Sequence, residues 1–112
     1  MVTDVYEQYF KAECVFNGVP RRAASVKLTA DSEAGMIRYL VCVSFFPHTD
    51  DEDFAISYDA YAEKELFCAK GRRSKKREKA FLEELREIID GLAAEMGGRV
   101  LWDEPLRDAR TA

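Results

Sequence analysis

With 112 residues, 47% of them hydrophobic, and a formal net charge of -4, the chain can bury a core without metal or disulfide staples and is too apolar for an intrinsically disordered segment. Its longest apolar runs, such as YLVCVSFF, fall well short of the roughly 20 residues needed to cross a bilayer, and the amino-terminal MVTDVYEQ lacks the basic-then-apolar order of an export signal. Cys14, Cys42 and Cys68 are odd in number, far apart and set in apolar or strand-like runs, which suits small buried hydrophobes in a reducing cytoplasm rather than a disulfide framework or a zinc site.

Residues 5–16, VYEQYFKAECVF, mix aromatic and β-branched residues with charges, and the Asn17–Gly18 pair behind them is a strong hairpin signal. Strand, tight turn and strand are expected, with Pro20 at a strand start, where a missing donor is tolerated. ASVKLTA then alternates, Val26, Leu28 and Ala30 on one face and Ser25, Lys27 and Thr29 on the other, as a half-buried strand does. DSEAG at 31–35 makes a second turn. MIRYLVCVSFF at 36–46 has the β-branched and aromatic content of a central strand, ended by Pro47.

HTDDED at 48–53 is an acidic junction, and the next stretch, FAISYDAYAEKELFCAK at 54–70, satisfies two periods. Phe54, Ile56, Tyr58 and Ala60 alternate as in a strand, whereas Phe54, Tyr58, Ala62, Leu66 and Ala69 fit a helix that TDDE would open as a capping box. The strand is preferred, because a helix would leave Ile56 and Phe67 on its wet side.

Ser74 is a good N-cap, and Phe81, Leu85, Ile88, Leu92 and Met96 recur at helical spacing until Gly97 and Gly98. One helix from Lys75 to Met96 would run roughly 33 Å. Gly91 inside it costs about 1 kcal/mol relative to alanine and suggests a close contact or a bend. RVLW at 99–102 can add a short edge strand. The expected architecture is α+β: an antiparallel meander of three to four strands with one long C-terminal helix packed on a face, residues 1–104 forming a single domain and 105–112 a frayed tail. The bare order of four strands then a helix resembles that of small single-strand-binding domains of the Whirly and Pur type, an analogy of fold without a shared motif.

Signatures of catalysis are absent: there is no G-x-S-x-G, no phosphate-binding G-x-x-x-x-G-K-S/T loop and no G-x-G-x-x-G. His48, the only histidine, is followed by Asp50, Asp51, Glu52 and Asp53, but the spacing lacks the glycine and terminal glutamate of a calcium loop and reads as a solvated turn. Cys42 has apolar neighbours that would raise a thiol pKa, and Cys68 has no histidine to serve as its base. No catalytic residue, metal site or cofactor is therefore expected.

The exception to an unremarkable surface is KGRRSKKREK at 70–79, which carries a net +6 in a chain of net -4. With Ser74 as cap, Lys75, Lys76, Arg77 and Lys79 occupy the first turns of the helix, where its dipole disfavours cations by about 0.3–1 kcal/mol each. Two outcomes are consistent with this: neutralisation by neighbouring acids such as Glu63 and Glu65, or a surface for an anion. Lys70, Arg72, Arg73, Lys75, Lys76, Arg77 and Lys79 are thus the candidate anion- or partner-binding residues. The function expected from this pattern is that of a small non-enzymatic cytoplasmic adaptor, regulator or inhibitor, binding a protein partner through a charge-asymmetric surface. The alternative is a single-stranded nucleic-acid binder using the same cations beside exposed sheet aromatics, which a sequence pI near 5.1 disfavours.

Overall fold

The computed structural model describes residues 1–47 and 60–107. Strands β1 (Val2–Phe16) and β2 (Val19–Glu33) form a long hairpin around Asn17 and Gly18. Their φ angles of 52° and 75° are the left-handed pair that lets a two-residue turn follow the twist of its strands. A second such turn, at Ala34 and Gly35 with φ of 52° and 77°, leads to β3 (Met36–Phe46). Strand β4 (Tyr61–Lys70) pairs antiparallel with β3, helices α1 (Lys75–Glu83) and α2 (Leu85–Glu95) follow, and β5 (Gly98–Val100) pairs with β1 at Ala12–Cys14. The sheet order is β4-β3-β2-β1-β5.

A straight strand of 15 residues would span about 50 Å at ~3.4 Å per residue. The longest extent of the molecule is only 42 Å, so the sheet curls. Three irregularities of register assist it, at Asp4/Tyr6 and Lys11/Cys14 in β1 and at Tyr39/Leu40 between β3 and β4. The first inserts Val5 as an extra residue, which explains why Val5 and Tyr6, consecutive in sequence, are both buried.

The inner face is built from cross-strand rows such as Tyr6–Leu28–Val41 and Phe10–Ala24–Phe45, closed over by Leu85, Ile89, Leu92 and Ala93 of α2. One polar side chain, Gln8, sits in this face at 2% exposure. It is satisfied by the Tyr6 hydroxyl, by the Pro105 carbonyl at 3.0 Å and by the Arg107 amide at 3.0 Å. The segment after β5 therefore covers the outer edge of β1: the Leu101 amide donates to the Lys11 carbonyl, the Lys11 amide to Asp103, and Trp102 meets Phe10 edge-on at 4.9 Å.

This architecture corrects the meander with one long helix. The chain forms five antiparallel strands in a curled half-barrel sheet with two short helices. The helical run breaks at Glu84 (φ -99°, ψ 0°), whose amide turns back to the Phe81 carbonyl. A straight 33 Å rod cannot keep its apolar stripe on a curled surface, and the break lets α1 and α2 follow it separately. Gly91 is not the bend: it lies within α2, and a Cβ built there would meet nothing within 4 Å. Gly91→Ala should accordingly raise stability by about 0.5–1 kcal/mol in urea denaturation, whereas a loss would reveal a close contact at that position.

Residues 61–70 are strand, not helix; residues 54–59, like His48 and the acids after it, lie outside the described residues. Cys14 is buried, but Cys68 is exposed, contrary to the expectation of three buried thiols. Among the described residues no helix is long and apolar enough to cross a membrane.

Candidate functional site

The basic run joins the end of β4 to the start of α1, and its cations divide into two groups. Ser74 caps α1, its hydroxyl accepting from the Arg77 amide at 3.2 Å. Four residues into the helix, Glu78 turns inward and is 3% exposed. Its carboxylate receives Arg73 in a two-pronged contact, Nε to Oε2 at 3.0 Å and Nη2 to Oε1 at 2.9 Å, and the Tyr39 hydroxyl at 2.6 Å. The same hydroxyl accepts the Ser74 amide at 3.0 Å, so β3 fixes both the cap and the acid. Burial pushes the Glu78 carboxyl up, but the hydrogen bonds from Arg73 and Tyr39 outweigh it and leave it below the ordinary carboxylate range. Burial and the bond to Glu78 together raise the Tyr39 phenol. Arg77 is also engaged, its guanidinium stacked 3.9 Å from the centre of the Phe67 ring.

Lys70, Arg72, Lys75, Lys76 and Lys79 form the second group. All five are exposed, and none makes an ion pair among the described residues. Glu63 and Glu65 do not neutralise them: Glu65 lies 3.9 Å from Arg38, and Glu63 accepts the Tyr61 hydroxyl. The internal counterion is Glu78, the single acid of the run. Its isolation among cations was a readable signal, although nothing local indicated that it would turn inward.

The sequence did not indicate how the outer face of the sheet is laid out. There the register aligns Tyr9, Ser25, Ser44 and Tyr61 in one row and Glu7, Lys27, Cys42 and Glu63 in the next. Small serines between tyrosines leave a depression of about 610 Å³. Lys27 bonds Glu7 at 3.0 Å and lies 3.9 Å from Asp4, and burial pushes the Cys42 thiol up. Tyr6, Phe10, Tyr39 and Phe45 are at most 1% exposed, while Tyr9 and Tyr61 are 45% and 42% exposed. Most of the aromatics expected near the cations thus belong to the core.

The chain matches no protein-family model, no curated protein and no solved structure.

Proposed function

We propose that this chain is a small non-enzymatic binding protein that engages an acidic segment of a protein partner through Lys70, Arg72, Lys75, Lys76 and Lys79. The observation that carries this reading is the division of the basic run. Arg73 and Arg77 are consumed in building the helix start, while five neighbouring cations stay on the surface and make no ion pair among the described residues, Lys75 alone lying near enough to Glu78 to help hold its carboxyl down. Their mutual repulsion and the helix dipole both favour an incoming anion.

A carboxylate-bearing partner is favoured over single-stranded nucleic acid, because the half-exposed tyrosines are misplaced for stacking. Tyr61 and Lys70 stand at opposite ends of β4, about 30 Å apart at ~3.3 Å per residue.

The test is fluorescence anisotropy with a labelled glutamate-rich peptide and a random single-stranded oligonucleotide of equal charge. The peptide should bind with an affinity that falls as salt rises, and joint Arg72→Gln, Lys75→Gln, Lys76→Gln and Lys79→Gln substitution should weaken it at least about tenfold while flattening that slope. Unchanged binding would remove the site from these residues. An oligonucleotide bound about tenfold tighter than the peptide would hand the patch to nucleic acid instead.

A further inference from the structure

Beyond the basic surface, a groove of about 670 Å³ runs between β4 and the exposed side of α2. We infer that it is a docking site for an extended, basic segment of another protein, laid along β4 as an added strand. Three features converge on that occupant. First, β4 is the terminal strand of the sheet, and among the described residues no strand pairs with its outer side. Its outward amides and carbonyls are therefore a template for an incoming backbone.

Second, the groove is mostly acidic. Glu84 at the helix break and Glu87 and Glu95 of α2 line it, with Lys64 the single cation of the lining, and Glu63 and Glu65 of β4 stand beside it on the outer face of the sheet. Third, its floor is apolar: Ile88 is half-buried and Leu92 is 7% exposed. An added strand points alternate side chains to opposite sides, so its inward apolar residues can reach the floor while the basic residues between them meet Glu63 and Glu65 on the outer face of β4. Gly91 lies in the lining with open space where a Cβ would stand. A residue that weakens its helix is thereby accounted for by room for a ligand.

Against a second copy, two β4 strands paired about a twofold axis at Lys64 or Glu65 would set Lys64 against Lys64 and Glu63 against Glu65, or Glu65 against itself, and like charges directly opposite repel.

The probe is a labelled peptide of alternating lysine and valine, compared with a block peptide of the same composition and with an alternating peptide N-methylated on every second residue. Binding to the full chain is read by anisotropy, and the site by amide chemical shifts of residues 61–70. The alternating peptide should bind at least about tenfold tighter than either control, because only it can supply both the backbone bonds and the two-sided pattern. Gly91→Gln fills the groove without straining the helix, so it should raise the melting temperature yet weaken the peptide at least about tenfold. Joint Glu63→Gln and Glu65→Gln should weaken the peptide likewise and flatten the salt dependence. Equal binding of the block peptide, equal binding of the N-methylated peptide, or a folded Gly91→Gln protein with unaltered affinity would each overturn the inference. The variant lacking Arg72, Lys75, Lys76 and Lys79 should bind this peptide as well as the parent chain, so failure here and failure of the basic surface are separable.

Discussion

Replacing Glu78 by alanine should lower folding stability at neutral pH by about 2–4 kcal/mol, the range for breaking a buried charge network by removing one member. The lower part of that range is expected because the side chain of Arg73 is 30% exposed and can be rehydrated once its partner is gone. Tyr39→Phe should cost about 1.5–2 kcal/mol, since the lost hydrogen bond is to a charged acceptor and the Ser74 amide loses its acceptor too. The effect carries a pH signature. The folded-state pKa of Glu78 lies below its unfolded value, so its contribution is full above the unfolded carboxylate pKa of about 4.3 and is lost as pH falls through the lower folded value. Urea denaturation of parent and Glu78→Ala chains at pH 7 and pH 3 should show the gap closing in acid. A gap of the same size at both pH values would mean that packing, not charge, holds α1. The alkaline limb has the opposite sign: the phenols of Tyr39 and Tyr6 are raised by burial, Tyr6 to about 12, so their contribution is full below the unfolded tyrosine pKa of about 10 and fades above it.

Gly98→Ala should cost about 2–3 kcal/mol and lower the melting temperature by roughly 10 °C, an overpacking effect at an otherwise small site. A Cβ at Gly98 would stand 2.7 Å from Cys14 Cβ, 2.8 Å from Cys14 Sγ and 3.1 Å from Phe45 Cζ. Cys14 Cβ is fixed to the backbone of β1 and Phe45 is fully buried, so the strain falls on the pairing of β5 with Ala12–Cys14. Cys14→Ala in the same chain removes only the Sγ contact, so rescue should be partial. Hydrogen exchange should locate the damage in β5 and the adjoining part of β1. A Gly98→Ala protein within about 0.5 kcal/mol of the parent would show that β5 can shift freely.

Locally encoded features were legible. Asn17 and Gly18 prefer the left-handed region and impose a two-residue turn whatever surrounds them, Ser74 satisfies an amide three residues away, and the alternation of Val26, Leu28 and Ala30 marks a buried strand face. The candidate site was legible as composition only. All seven cations were readable from the sequence, but which of them are engaged depends on Glu78 meeting Tyr39, 39 residues distant in the chain. The groove beside β4 was not legible at all, because it lies between two elements whose adjacency no local pattern records.

The sequence by itself determined the turns, the helix cap, the strand-forming runs and the concentration of positive charge at 70–79, since each depends on residues a few positions apart. Only the tertiary structure decided that the helix breaks at Glu84, that β5 and the following segment close the β1 edge, and that Glu78 is buried against Arg73 and Tyr39. The physical reason is common to all three: curvature of the sheet sets where a helix can touch it, and burial sets which charges must be paired, and both are properties of the assembled chain.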